Sequence, residues 1–153
     1  MAELRAGKKA PAFTLEGSDG KKHSLKEFLG KKVILYFYPK DNTSGCTKEA
    51  CSFRDNLDTI AAKGAVVVGV SPDSVKSHRS FIEKQGLNFL LLSDENKDML
   101  EPYGVWKEKS MYGRKYMGVE RTTVLIDEHG YISHVFPKVK VDGHTEEILE
   151  ALS

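Results

Sequence analysis

The sequence is poor in cysteine and proline, has almost no net charge, and contains no long apolar run. Two cysteines in 153 residues are too few for the disulfide framework of a small secreted domain. Apolar runs stop at the six residues Val33 to Tyr38, far short of the roughly 20 that a membrane-spanning helix needs. Lys plus Arg number 23 against 22 Asp plus Glu, so a net charge of +1 offers no global attraction for nucleic acid or an acidic bilayer. The first 40 residues are locally basic, with nine Lys/Arg against four acids, but these are spread as pairs in the manner of a solvated face. Met1-Ala2-Glu3-Leu4-Arg5 lacks the apolar stretch of a signal peptide. The expectation is a cytoplasmic protein with reduced thiols and with neither nucleic acid nor membrane as partner. No repeat, low-complexity tract or linker interrupts the chain, and its length suits one domain over residues 1–153.

What is present is a regular alternation of elements. Phe13 to Leu15, the turn Gly17-Ser18-Asp19-Gly20 and Lys21 to Ser24 predict an N-terminal hairpin, followed by a single helical turn over Leu25 to Leu29. Val33 to Tyr38, closed by Pro39, reads as a strand buried on both faces. The same type recurs at Ala65 to Val70, Phe89 to Leu92, Thr122 to Ile126 and Tyr131 to Phe136. Cys46, Ala50, Phe53, Leu57, Ile60 and Ala61 recur with helical period and predict one long helix. A second helix starts at Asp73 or Ser74, turns Val75, Phe81 and Ile82 inward, and stops at Gly86. Only Asp127 to Gly130 separates the last two strands, which predicts an antiparallel hairpin, and Thr145 is placed to cap a terminal helix over Glu146 to Leu152. Strand and helix alternation requires right-handed parallel crossovers. The fold class is α/β: a mixed central sheet flanked by helices, in the order of a thioredoxin-like fold with an N-terminal β-hairpin extension.

In that layout Cys46 lies beyond the carboxyl end of a central strand and in the first turn of a helix. Ligands of open α/β sheets bind at that place, and unpaired backbone N–H groups there favour a thiolate. The alternative is that Cys46 is a small apolar residue on the inward stripe. Cys51 is off that stripe, since five helical residues turn by about 500° and leave it some 140° around, nearer solvent. Ideal geometry puts the two Cα atoms about 8–9 Å apart, beyond the roughly 7 Å a disulfide spans, so oxidation of the pair requires local unwinding. Thioredoxin-type exchange needs Cys-x-x-Cys, which is absent. A cysteine phosphatase needs Arg where Ser52 stands, and His23 and His78 do not make a zinc spacing. A Cys-His hydrolase stays open, with His129, His134 and His144 as candidate partners, although surface or hairpin positions are the expectation for all three.

The string from Tyr36 to Cys51, YFYPKDNTSGCTKEAC, closely resembles the active-site segment of the peroxiredoxins, specifically their Q-type or bacterioferritin comigratory subfamily. Pro39, Thr43 and Cys46 stand in the family register, and the resemblance continues through Ala10 to Leu15, Gly69 to Asp73, Leu92 to Asp94, Tyr103 to Trp106 and Arg121 to Asp127. It implies a thiol peroxidase with Cys46 as peroxidatic and Cys51 as resolving cysteine, and with Thr43, Arg121 and Pro39 completing the pocket. On that reading Thr43 accepts from the peroxide and donates to the thiolate, while Arg121 stabilises thiolate and leaving oxygen. Pro39 shapes the loop. The implied partners are hydrogen peroxide, alkyl hydroperoxides and a thioredoxin-like reductant, with no cofactor and a monomeric state. Two departures stand out. Ser44 replaces a proline common in the family, which frees φ and restores an N–H, and Ala12 replaces a common Asp. A non-catalytic thioredoxin-fold interaction module and a peroxide sensor are the competing readings.

Overall fold

The computed structural model describes residues 4–152, so the reading of the first three residues lies outside the described residues. Nine strands form: β1 Thr14–Gly17, β2 Lys22–Ser24, β3 Lys32–Phe37, β4 Ala65–Ser71, β5 Leu90–Ser93, β6 Trp106–Met111, β7 Arg114–Val119, β8 Thr122–Ile126 and β9 Ile132–Phe136. Seven of them make one sheet in the order β2-β1-β5-β4-β3-β8-β9, while β6 and β7 pair only with each other. β3, β4 and β5 run parallel, whereas β8 is antiparallel to β3 and β9 to β8. The sheet is therefore mixed, with the N-terminal hairpin β1–β2 added at one edge, in agreement with the sequence reading.

Strand β3 shows why this sheet is buried. Val33, Leu35 and Phe37 point to one core, and Ile34, Tyr36 and Tyr38 to the other. The second core packs against the helices α1 Ser44–Asp55, α2 Leu57–Ala62, α3 Val75–Gln85 and α4 His144–Leu152, through Cys46, Ala50, Phe53, Ile60, Phe81 and Ile148. The first is covered by Phe13, Leu25, the turns carrying Met99, Leu100 and Tyr103, and the foot of the β6–β7 hairpin at Val119. Among the described residues no helix is long and apolar enough to cross a membrane.

Helix α3 forms as its sequence predicts: the Ser74 side chain accepts from the Ser77 N–H at the start, and Gly86, at φ +61°, stops it. Three expectations need correction. The long helix is two, because the backbone bends at Asn56, whose N–H turns to Ser52 and Phe53 and whose side-chain amide donates to the Ser52 carbonyl. Thr145 is not a cap. The Glu147 N–H bonds back to Gly143, helix α4 already includes His144, and Thr145 instead meets Ser52 Oγ at 2.6 Å. Residues 106–119, where the sequence reading places no strand, are the β6–β7 hairpin, closed by Tyr112 and Gly113 with φ of +51° and +78°. That pair suits a two-residue primed turn.

Candidate active site

Antiparallel pairing of β8 with β3 sets Thr122 opposite Phe37, so Arg121, just before β8, arrives at the carboxyl end of β3. Helix α1 starts at the same place. Thr43 occupies its capping position, its carbonyl accepts from the Thr47 N–H at 2.8 Å, and Ser44 is the first helical residue. A proline at that first position would forfeit only an N–H with no helical partner, so serine there costs mainly the fixed φ. Cys46 falls in the first turn, as expected, and is 1% exposed.

Arg121 joins two groups on one side of this helix. Its Nη2 donates to Cys46 Sγ at 3.1 Å and its Nη1 to Glu49 Oε1 at 2.6 Å. Residues three apart on a helix share a face, so Glu49 stands one turn behind Cys46. Gly45 leaves room for the guanidinium, since a Cβ there would lie 3.3 Å from Arg121 Nη2. The Tyr36 hydroxyl is buried without a hydrogen-bond partner among the described residues, and burial, then the charges of Glu49, Cys46 and Asp41, push its ionisation well above the usual phenol range.

Glu49 is the unusual member. It is 2% exposed, and burial raises its pKa to about 7 although Arg121 holds part of that rise down. A carboxyl raised above its unfolded value binds a proton in the folded state that the unfolded chain has released. Its stabilising effect is complete below about pH 4.5 and lost as pH rises through about 7. The window corresponds to about 3 kcal/mol. In Glu49→Gln that contribution should be missing, so urea denaturation from acid to neutral pH should fall more steeply for the wild type than for the variant.

The loop leading to α1 is anchored from below. Asp41 Oδ1 accepts from the Tyr38 hydroxyl at 2.5 Å, and Oδ2 accepts from Ser77 Oγ at 2.8 Å and lies 2.7 Å from His78 Nδ1. The Asp41 N–H donates to Asp73 Oδ2, and His78 Nε2 faces the Leu92 carbonyl. Asp41, Asp73 and His78 offer ligand atoms within 4.8 Å of one another, but these atoms are already spent on mutual hydrogen bonds. Pro39 sits half-buried between Tyr38 and this anchor, and Asn42 makes the bend with φ +63°.

Thr43 differs from its expected geometry. Its hydroxyl donates to the Lys40 carbonyl at 2.8 Å, so only its lone pairs remain for another group. Cys51 is half-buried and turns toward α3, where its Sγ meets Gln85 Oε1 at 3.6 Å. Both thiols are free, and the intact turns of α1 between them keep the pair near the separation of an ideal helix.

Of the candidate histidines, His129 and His134 are exposed. His144 corrects the expectation of a surface position: it is buried between Thr123 Oγ1 and Glu147 Oε1, and burial lowers its pKa despite Glu147. Among the described residues no histidine is hydrogen-bonded to Cys46. Glu49 and His78 are the important residues that sequence reasoning missed. Each is a polar residue on an inward stripe, Glu49 between Cys46 and Phe53 and His78 between Val75 and Phe81, and that position was the available signal.

Residues 6–135 match the model of the AhpC/TSA family. A putative peroxiredoxin Bcp of Coxiella burnetii is 56% identical over 149 residues, covering 97% of this chain and 99% of the relative. The chain belongs to the AhpC/TSA family. Within it the solved neighbours include Bcp/PrxQ peroxiredoxins. A cysteine-to-serine variant of Xylella fastidiosa PrxQ superposes with a TM-score of 0.93 at 38% identity, over 99% of this chain and 97% of that one. The bacterioferritin comigratory protein of Xanthomonas campestris, solved in work on alkyl peroxide reduction, gives 0.90 at 40% identity over 97% of each chain. This peroxiredoxin is thus an enzyme of the thiol peroxidase type on a thioredoxin-like fold.

Proposed function

We propose that the protein reduces hydrogen peroxide and alkyl hydroperoxides by a two-cysteine cycle contained within one chain. The observation that carries this reading is the Arg121 guanidinium on Cys46 Sγ in the first turn of α1. The Cys46 thiolate attacks one peroxide oxygen, the O–O bond breaks, and the departing oxygen takes up a proton to leave as water or an alcohol. Arg121 stabilises the thiolate and the charge on that oxygen, Thr43 accepts a hydrogen bond from the peroxide through its free lone pairs, and Pro39 shapes the mouth.

Cys46 is then a sulfenic acid. Helix α1 opens, Cys51 leaves Gln85, and its thiol displaces water from the sulfenic sulfur to give the Cys46–Cys51 disulfide. A thioredoxin-like dithiol reduces that bond and resets the site. Because both cysteines lie on one helix, the cycle needs no second copy, and the proposed state is a cytoplasmic monomer in which residues 1–153 act as one domain.

Turnover tests the assignment of Cys51. Cys51→Ser should consume about one equivalent of peroxide and then stall with thioredoxin as reductant, carrying a Cys46 sulfenic acid that dimedone traps. Continued turnover of Cys51→Ser at the wild-type rate with thioredoxin would remove Cys51 from the cycle.

A further inference from the structure

His78 is a fully buried titratable side chain that the two-cysteine cycle leaves unused, and its surroundings specify its protons. Both ring nitrogens face oxygen: Nδ1 lies 2.7 Å from Asp41 Oδ2, and Nε2 lies 2.9 Å from the Leu92 carbonyl. A carbonyl oxygen only accepts, so Nε2 carries a hydrogen. The Asp41 side chain decides the other nitrogen. Its Oδ1 accepts from the Tyr38 hydroxyl at 2.5 Å, a length typical of a hydroxyl donating to an anion, and its Oδ2 accepts from Ser77 Oγ at 2.8 Å. A carboxyl that accepts at both oxygens is a carboxylate, and Nδ1 then donates to it as well. A neutral ring would set a bare lone pair against an oxygen on one side or the other, inside the protein, where an unmade hydrogen bond is costly.

Two other titratable groups stand around the pair. Tyr38, just after β3, keeps its proton, because burial, then the charges of Tyr36 and Asp41, push its ionisation well above the usual phenol range. Asp73, ahead of α3, accepts from Ser71 Oγ at 2.6 Å and from the Asp41 N–H at 2.8 Å. From β5 comes the Leu92 carbonyl.

The pair lies under the loop that enters the active site. His78 belongs to α3, where its own N–H donates to the Ser74 carbonyl at 3.0 Å, so it ties Asp41 to a helix on one side and to β5 on the other. Lys40, the residue before Asp41, presents the carbonyl that receives the Thr43 hydroxyl at 2.8 Å. Fixing Asp41 therefore fixes the direction of Thr43.

We propose that His78 is an imidazolium held against the Asp41 carboxylate, and that this charged pair is the positioning element that aims the Thr43 hydroxyl in the active-site loop. The inference rests on the reading of Thr43 as the group that accepts from the peroxide.

Nitrogen-15 NMR of the whole reduced protein with labelled histidine, near pH 7, reads the protons of the ring. His78 should show one bonded hydrogen on each ring nitrogen, assigned by through-space contact to Leu92 and by loss of the signals in His78→Asn. A single N–H, on either nitrogen, would overturn the charged pair. Stopped-flow measurement of the peroxide step in a single turnover reads the positioning. His78→Asn leaves the Leu92 carbonyl without its donor and removes the charge, and it should slow the step by about tenfold. In the Thr43→Val background, which already lacks the hydroxyl, the same substitution should change the rate by less than about twofold. No slowing with Thr43 intact, or equal slowing in both backgrounds, would overturn the positioning role. The spectrum is read whether or not peroxide is consumed, so a failure of the peroxidase reading is distinguished from a failure of this assignment.

Discussion

Serine in place of Cys46 is expected to reduce peroxide consumption to the background of the buffer, a loss of at least about 10⁴-fold. An alcohol does not ionise near neutral pH and is a poor nucleophile toward an O–O bond, so no remaining group performs the step. The loss should be clean, because serine is close to cysteine in shape and Arg121 keeps its bond to Glu49 at 2.6 Å. Competition for hydrogen peroxide against a haem peroxidase measures it directly. Cys46→Ser should leave the competitor fully active, while equal protection by wild type and variant would move the chemistry to another residue.

Arg121→Ala is expected to produce the second largest effect, and a double one. Removing the donor from Cys46 Sγ takes away stabilisation of both thiolate and leaving oxygen, which should slow the peroxide step by about 10² to 10³-fold. The same change strands Glu49, whose second oxygen already has no hydrogen-bond partner among the described residues. Breaking a buried pair in this way costs about 3 kcal/mol or more above pH 7. The penalty should shrink as pH falls, because Glu49 without the Arg121 charge that holds its pKa down takes up a proton more readily and sheds its charge. Adding Glu49→Gln to Arg121→Ala should then restore stability in alkaline solution, where Glu49 would otherwise carry its charge, and none of the rate. Stopped-flow peroxide reduction beside urea denaturation separates the two effects, and recovery of both together would mean that Arg121 acts only as a structural partner.

The strands that place this site were legible because they are extreme. Val33 to Tyr38 is buried on both faces and has no other way to fold, and the turn after Ile126 is too short for anything but a hairpin. Helix α3 could be bounded to within a residue at its start, Asp73 or Ser74, and at Gly86 at its end, where a left-handed glycine has one dominant backbone use. The β6–β7 hairpin was not legible, since Lys107, Glu108, Met111, Arg114, Lys115 and Tyr116 are all exposed and leave no apolar alternation to read. The break at Asn56 was hidden for a different reason, because the apolar period runs through it to Ile60 and the bend comes from backbone hydrogen bonds.

The site was legible as a set of residues and less so as a geometry. Cys46 and Arg121 are in contact, although 75 residues apart in the chain, and the family pattern had already paired them. The direction of the Thr43 hydroxyl depends on where the Lys40 carbonyl points, which no spacing specifies. Glu49 and His78 were passed over because a polar residue inside a helical stripe looks like noise until the partner that satisfies it is known, Arg121 in one case and Asp41 in the other.

The central claim is that both halves of the oxidation lie on helix α1, and the mass of the protein after one turnover tests it most directly. Reduced wild type mixed with one equivalent of hydrogen peroxide should lose the mass of two hydrogens, with the loss mapping to a peptide that joins Cys46 and Cys51. A product that gains oxygen on Cys46 and never forms the bridge, or one in which the disulfide joins two chains, would contradict the account.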